Sequence, residues 1–159
     1  HTGYNGIEQH GIFFGILFFM KVKNKQGNLL YGDITRKIIK CVYEVCNTYG
    51  SGHKEKLYQK ALLEKLRKEG LSCQSEVGIN ICSEDSGQIL ENHRLDLVIE
   101  DKVVVECKAL RFVPQKLENQ LYSYLKNSKW EVGLLINFGS TNLYLKRVIL
   151  TNERKSRVI

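Results

Sequence analysis

Apolar residues recur along the chain with two different spacings, and each spacing predicts its own kind of element. In 33–50 and in 54–69 they return every three or four positions, which predicts two helices. Asp33 is the expected N-cap of the first helix, and Gly50 lies just past its end. Pro114 opens a third helical segment that runs to about residue 127. Its inner face is expected to carry Leu117, Leu121, Tyr124 and Leu125.

Other segments are short runs rich in apolar and β-branched residues, which is typical of strands. The predicted strands are 73–82, 89–99, 102–108, 131–137 and 143–150. The predicted order is therefore α-α-β-β-β-α-β-β, which indicates an α/β fold with a sheet and flanking helices. Since no repeat or linker interrupts this order, a single domain is the simplest interpretation.

The 159 residues suit one domain with one core, and we place that domain at 29–150. We expect 1–28 to be a disordered or non-native N-terminal extension, with 1–19 upstream of a true start at Met20. The apolar run before Met20 is too short to span a bilayer, although a membrane-touching tail is an alternative interpretation. The polar residues 151–159 are expected to form a flexible tail.

Charge and cysteine content narrow the choice of partners and compartment. The net charge of +7 favours an anionic partner, and nucleic acid is the commonest one, although this signal is weak alone. The five cysteines include no CxxC pair, which argues against a structural zinc site or a disulfide framework. We therefore expect buried free thiols in a cytoplasmic protein.

Two carboxylates interrupt neighbouring apolar strands, at Asp96 and at Glu106, and Lys108 follows the second. If the hairpin is centred on Asp101, with an odd number of loop residues, Asp96 stands opposite Glu106 on one face. Opposed side chains have Cβ atoms about 5 Å apart, a separation that one divalent ion can bridge. An even-numbered loop without a bulge would put Asp96 on the other face.

These residue types suit a magnesium site that hydrolyses phosphodiesters. Mg²⁺ binds oxygen ligands and keeps several waters, so two carboxylates are sufficient protein ligands. Lys108 could orient or deprotonate the attacking water and stabilise the anionic transition state. The alternative is a solvated strand face on which Lys108 pairs with the two acids across the strands.

Four motifs in the same chain point to a known family. The segment GHKEKLY at 52–58 reproduces the pattern GxxExxY, and it precedes Asp96, the triplet ECK at 106–108 and the run GLLINFG at 133–139. Together they resemble the GxxExxY protein family, a branch of the PD-(D/E)XK nuclease-like superfamily, over about 29–150. The resemblance implies a restriction-endonuclease-like core, a mixed central sheet flanked by helices.

The resemblance also implies an activity, which is Mg²⁺-dependent hydrolysis of DNA by metal-activated water, with Mn²⁺ as a substitute ion. Asp96 and Glu106 would be the metal-binding acids, and Lys108 the active-site lysine. Glu55 matches the helical glutamate that completes the acidic cluster in many members. Without the family, Glu55 is equally well explained as a first-turn acid that the helix dipole favours.

Further motif residues have roles that the resemblance implies less directly. Gln120 and Tyr124 match a QxxxY motif, and on one helix face they could brace the site or touch nucleic acid. Taken alone they are a surface amide and a core aromatic. Gly52 most simply serves turn geometry, and Tyr58 is better explained as a core residue than as a catalytic one.

Some positions depart from the family pattern or receive no role. Family members often carry histidine where Asn47 stands and proline where Ser51 stands, which affects the glycine loop rather than the acids. His53 and His93 are expected to be exposed. The resemblance further implies a homodimer. Two alternative functions are a non-catalytic module that binds nucleic acid or a partner on this scaffold, and an interaction protein with an exposed sheet edge.

Overall fold

The computed structural model describes residues 29–155, so the predicted extension at 1–28 lies outside the described residues. The helices are α1 (Gly32–Tyr49), α2 (Glu55–Lys68), α3 (Lys116–Lys126) and α4 (Asn152–Lys155). The strands are β1 (Cys73–Cys82), β2 (Ile89–Ile99), β3 (Val103–Lys108), β4 (Val132–Asn137) and β5 (Tyr144–Ile149). The predicted order of elements is confirmed, and α4 is an addition to it.

Helix α1 shows where local sequence signals succeed and fail. Asp33 does not cap it, because the helix begins one residue earlier and the Thr35 N–H already donates to the Tyr31 carbonyl (3.0 Å). Asp33 instead lies in the first turn, where a negative charge suits the helix dipole. Gly50 ends the helix as predicted, with φ +64° and its N–H bonded to the Cys46 carbonyl.

The five strands form one mixed sheet in the order β1-β2-β3-β4-β5. Only β3 and β4 are parallel neighbours, and α3 lies between them in the chain. The other neighbouring pairs are antiparallel. A parallel pair needs a crossover connection, which explains why the one long helical connection falls here. The predicted mixed sheet with flanking helices is confirmed.

Each face of the sheet carries its own apolar cluster. Helices α1 and α2 cover one face through residues such as Val42 and Leu62, which pack with Leu97 and Val105 of the sheet. Helix α3 covers the other face. Its predicted inner residues are all buried, namely Leu117, Leu121, Tyr124 and Leu125. Burying a side chain of this size contributes about 1.5–3 kcal/mol. Because the 3.6-residue spacing puts all four on one side of α3, their burial fixes which side of the helix faces the sheet.

The first residues of the expected C-terminal tail form a short helix that contacts the rest of the domain. Residues 152–155 form α4, and the Lys155 Nζ donates to the carbonyls of Ser128 (2.9 Å) and Trp130 (2.6 Å). These two acceptors anchor a segment whose own sequence is entirely polar. None of the helices within residues 29–155 is long and apolar enough to cross a membrane.

The five cysteines are free thiols, as predicted. Cys41 and Cys107 are buried, and burial raises the pKa of the Cys107 thiol well above its usual range. Cys82 is exposed, so the expectation that all five are buried was wrong at this position. Cys82 is the last residue of β1, where the strand leaves the core.

Candidate active site

The β2–β3 hairpin has the register that the sequence pattern required. Leu97 pairs with Val105, Val98 with Val104 and Ile99 with Val103, so the hairpin is centred on Asp101 and has a three-residue loop. Continuing this register by one residue places Asp96 opposite Glu106. The predicted odd-numbered loop is confirmed, and the paired residues end at Leu97 and Val105, directly before the two acids.

The loop that sets this register requires unusual backbone angles, with φ +54° at Glu100 and +50° at Asp101. Contacts outside the hairpin hold both residues. The Glu100 N–H donates to the Ser72 carbonyl (2.7 Å), and the Glu100 carboxylate accepts the Ser72 N–H (2.7 Å). The Asp101 carboxylate accepts the Trp130 Nε1–H (3.0 Å) and lies 2.8 Å from Lys129 Nζ. These bonds offset the cost of left-handed backbone at non-glycine residues.

The two acids make reciprocal hydrogen bonds across the gap between β2 and β3. The Asp96 N–H donates to Glu106 Oε1 (3.1 Å), and the Cys107 N–H donates to Asp96 Oδ2 (2.8 Å). Side-chain carboxylates thus accept from backbone groups at the point where regular pairing of the strands stops. Each carboxylate uses one oxygen in this way, and its second oxygen lies outside these two bonds.

Strand β2 changes face at Asp96. Leu95 and Leu97 are two residues apart, so a regular strand would place them on the same face. Leu97 instead packs with α1 and α2, whereas Leu95 packs in the α3 cluster. On the neighbouring strand the change coincides with Glu76, whose φ is +55°. This twist separates β2 from β3 and makes room for the two carboxylates.

Burial and charge make the acid pair energetically costly without a cation. Glu106 is only 3% exposed, so the alternative of a solvated strand face is excluded at this position. Burial, and then the charge of Glu106, raise the pKa of Asp96 to about 7, against an ordinary value of 3.8. The Cys107 N–H bond and the Lys108 charge act in the opposite direction. The pair therefore favours either a bound proton or a bound metal ion.

Glu55 lies near this pair without touching it. It is the first residue of α2, it is half-buried, and its Oε1 accepts from the Gln59 Nε2 (3.2 Å). Its charge contributes to the raised pKa of Asp96. Within residues 29–155, no three His, Cys, Asp or Glu side chains already form a metal-binding group. The structure brings together Asp96 and Glu106, with Glu55 beyond contact distance.

Lys108 is the last residue of β3 and is half-buried. Its carbonyl accepts the Phe138 N–H (2.9 Å), which continues the parallel pairing with the chain after β4. Since side chains alternate along a strand, Lys108 shares the face of Glu106, while Cys107 points into the opposite core. Its positive charge acts to lower the pKa of Asp96, against the larger effects of burial and of Glu106.

The two residues of the QxxxY motif have different surroundings. Tyr124 is buried, and its ring stacks on the ring of His93 with centroids 4.0 Å apart and planes 14° apart. Burial, and then the charge of Glu106, raise the pKa of Tyr124 to about 12, so its hydroxyl stays neutral. Gln120 is exposed on α3. The motif therefore contributes one residue beside the acids and one on the surface.

His93 is a site residue that sequence reasoning missed. It was expected to be exposed, but its side chain is 24% exposed and its Nε2 lies 3.8 Å from Glu106 Oε2. The contact with Glu106 raises the pKa of His93, against the opposite effect of burial. The alternation along β1 marks Ile79 as an inward residue, and His93 is its partner on β2, so His93 is inward as well. Reading that signal needs the β1–β2 register, which no short turn motif specifies.

The GxxExxY segment supports the loop between α1 and α2. Tyr58 is fully buried, as its interpretation as a core residue required, and its ring stacks on Phe138 at 4.6 Å. The Tyr58 hydroxyl donates to the Gly50 carbonyl (2.6 Å) and accepts the His53 N–H (3.2 Å). Gly52 has φ +99°, which glycine adopts without strain. Both motif residues therefore shape the loop that leads to Glu55.

Asn137 is a second residue that sequence reasoning missed. It ends β4, is completely buried, and clamps the chain that follows Lys108. Its Oδ1 accepts the Leu110 N–H (2.8 Å), and its Nδ2 donates to the Leu110 carbonyl (2.8 Å). Gly139 allows the same close approach, since a Cβ there would lie 2.4 Å from the Ala109 carbonyl carbon. A polar residue after five apolar ones was the available signal.

Replacing Asn137 with alanine should destabilise the protein by about 1–3 kcal/mol, because a completely buried amide is lost and the part-buried N–H and carbonyl of Leu110 lose their partner. Thermal or denaturant unfolding measures the loss. Asn119→Ala, at an exposed position of α3, is the matched control and should change stability by less than about 0.5 kcal/mol. Equal stability of the two variants would contradict the role of Asn137 as a clamp.

The chain is similar to a solved structure and matches one protein-family model. A solved structure titled "Crystal structure of SSO0001" is similar, with a TM-score of 0.49 and 16% sequence identity, over 97% of this chain and 83% of that chain. No curated protein matches the chain. The family model described as the PD-(D/E)XK nuclease superfamily matches residues 32–148, a range that includes Asp96, Glu106 and Lys108. The chain therefore belongs to the PD-(D/E)XK nuclease superfamily.

Proposed function

We propose that the protein is a divalent-metal-dependent nuclease that hydrolyses phosphodiester bonds in DNA. The observation that carries the proposal is the buried, reciprocally bonded pair of Asp96 and Glu106, which has Lys108 on the same strand. Two buried acids side by side at a strand gap contribute nothing favourable to folding, so a catalytic use explains them better. The GHKEKLY segment at 52–58 favours the GxxExxY branch within the superfamily.

The residues fit a divalent ion, with Mg²⁺ as the expected ion and Mn²⁺ as a substitute. Asp96 and Glu106 each offer an oxygen that is outside the reciprocal bonds, and hard cations prefer such ligands. The raised pKa of Asp96 shows how unfavourable two adjacent buried negative charges are, and a cation would remove that penalty. When bound, the ion would neutralise charge on the phosphate and make water more acidic.

The remaining side chains have supporting roles in this proposal. The Lys108 Nζ would orient the attacking water and donate to the phosphate oxygens as negative charge grows on them. Glu55, beyond direct contact with Asp96, would reach the site through water and complete the acidic cluster. Tyr124 braces the site through its ring, and the exposed Gln120 would contact the nucleic-acid strand.

A cationic groove next to the acids suits a phosphate backbone. It opens at the N-terminal end of α2 and is lined by His53, Lys54, Lys56, Leu57 and Lys60. Lys56 also pairs with Glu76 (2.6 Å), which raises the pKa of Lys56, and the negative charges of Asp96 and Glu55 act on it in the same direction. Together with the net charge of +7, the groove supports DNA as the substrate. A homodimer is part of the proposal, and light scattering tests it.

The function is tested by incubating labelled single- and double-stranded DNA and RNA with the protein, with Mg²⁺, Mn²⁺ or a chelator. Cleavage of DNA that needs the ion and disappears in Lys108→Met supports the proposal. Binding that weakens with salt, without cleavage under any of these conditions, would instead identify a non-catalytic nucleic-acid-binding module.

Reversing two groove charges, Lys54→Glu with Lys60→Glu, should weaken DNA binding at least about tenfold. The slope of log binding constant against log salt concentration should become less steep by about two. The reason is that each phosphate contact releases about one counterion. Fluorescence anisotropy at several salt concentrations measures both effects. Lys68→Glu, 74% exposed at the far end of α2, is the control and should alter binding little. Equal losses in both proteins would contradict a specific groove.

A further inference from the structure

His93 directs a buried nitrogen at the acid pair. The residue lies on β2 opposite Ile79, and its ring stacks on Tyr124. Its Nε2 is buried and has no hydrogen-bond partner among residues 29–155. The nearest charged atom is Glu106 Oε2, at 3.8 Å. A buried polar nitrogen without a partner is rare in folded proteins and calls for an explanation.

The distance of 3.8 Å is too long for a hydrogen bond. It does match two ligands on one ion, since two metal–ligand bonds of about 2.1 Å join atoms up to about 4.2 Å apart. Glu106 Oε2 is also the oxygen that the reciprocal bond with Asp96 leaves unused. The face of Tyr124 supports the imidazole ring and holds Nε2 toward that oxygen.

We propose that His93 Nε2 is a third protein ligand of the divalent ion, beside the carboxylates of Asp96 and Glu106. The inference rests on the proposed function, because it assumes that the acids bind a metal. Coordination needs the Asp96 and Glu106 side chains to turn toward the nitrogen, since the three groups do not yet form a metal-binding cluster. The free oxygens, Asp96 Oδ1 and Glu106 Oε2, can make this movement while the other oxygens keep their backbone bonds.

The ligand set has a consequence for the choice of metal. Two carboxylates alone suit Mg²⁺, but an imidazole nitrogen favours first-row transition ions, which bind nitrogen more strongly. A site with one nitrogen and two carboxylates therefore binds Mn²⁺ in preference to Mg²⁺. The closest matched residue for comparison is His53, which is exposed and bonds to the Tyr49 carbonyl on the α1–α2 loop.

The test measures Mn²⁺ binding by electron paramagnetic resonance in the full chain, without substrate. Wild-type protein and His53→Gln should show the electron spin-echo modulation of a directly bound imidazole ¹⁴N, and His93→Gln should lack it. The affinity of His93→Gln for Mn²⁺ should fall at least about tenfold, with a smaller loss for Mg²⁺. Unfolding curves verify that His93→Gln folds. In wild-type protein with ¹⁵N-labelled histidine rings, the ¹⁴N modulation should be replaced by that of ¹⁵N. This measurement does not depend on whether His93→Gln folds.

The outcomes separate this inference from the proposed function. Bound Mn²⁺ without nitrogen modulation in the wild-type protein would overturn the ligand role of His93, while metal-dependent cleavage would leave the nuclease proposal intact. Modulation that persists in His93→Gln and is lost in His53→Gln would also overturn it. Failure to bind either ion, together with absence of cleavage, would overturn both.

Discussion

Glu106→Gln is expected to lower the rate of DNA cleavage at least about a hundredfold while leaving the fold intact. The amide has nearly the same volume, and its oxygen can still accept the Asp96 N–H that bridges β2 and β3. What disappears is one of two negative charges beside the scissile phosphate. A weakly held divalent ion then stabilises the transition state poorly, so the loss falls on the chemical step.

The measurement is kcat/KM on a labelled oligonucleotide at saturating Mg²⁺ or Mn²⁺, with the melting temperature of each protein. Glu64→Gln is the matched control, since Glu64 is 70% exposed on α2 and pairs with the exposed Lys68. It should retain wild-type cleavage. A Glu106→Gln protein with more than about a tenth of the wild-type rate would remove Glu106 from the mechanism.

Asp96→Asn is expected to change how stability depends on pH in the metal-free protein. Burial and the charge of Glu106 raise the pKa of Asp96 to about 7 in the folded state, from an ordinary value of 3.8. Between these values the folded state binds the proton more tightly than the unfolded state. The contribution of Asp96 to stability is therefore fully present below pH 3.8 and is lost as the pH rises through 7.

An asparagine at this position stays neutral and can still accept the Cys107 N–H. Relative to wild type, the variant should become more stable by a few kcal/mol as the pH rises from about 4 to 7, with no further change above that. Urea unfolding in chelator at several pH values measures the difference. Asp33→Asn, at a side chain that is 92% exposed, should show no such slope. A difference that is constant with pH would show that Asp96 is not destabilised by burial.

Added Mn²⁺ should make the wild-type protein more stable than Asp96→Asn near pH 8, the reverse of their order in chelator. The ion binds the folded wild-type protein and stabilises it by mass action, whereas Asp96→Asn has lost one ligand. The crossover of stability with and without metal is the expected result. If added metal changes the stability of neither protein, the acid pair does not bind the metal.

The local patterns of the chain predicted the elements because each depends on neighbours in sequence. The 3.6-residue spacing placed Leu117, Leu121 and Tyr124 on the inner face of α3, where they are buried. The apolar strands around Asp101 likewise predicted a hairpin that opposes Asp96 and Glu106. Helix starts were less predictable, since Tyr31 is the N-cap of α1 and precedes Asp33, the polar residue that resembled a cap.

Contacts between distant segments decided what the patterns missed. His93 was expected to be exposed, and it is half-buried because α3 places Tyr124 on its ring. Asn137 looked like the polar end of a strand, and its role depends on Leu110 from another part of the chain. The contacts of Lys155 with the carbonyls of Ser128 and Trp130 likewise join segments that are distant in sequence.

The amino-acid sequence by itself determined the helices and strands, the hairpin centred on Asp101 and the acid–acid–lysine set that indicates a nuclease. Only the tertiary structure decided that β2 twists at Asp96, that the two acids bond across the gap, and that His93 points at Glu106. The physical reason is that periodicity reports which face a residue prefers in its own element. The register and packing of separate elements depend on contacts that no local pattern contains.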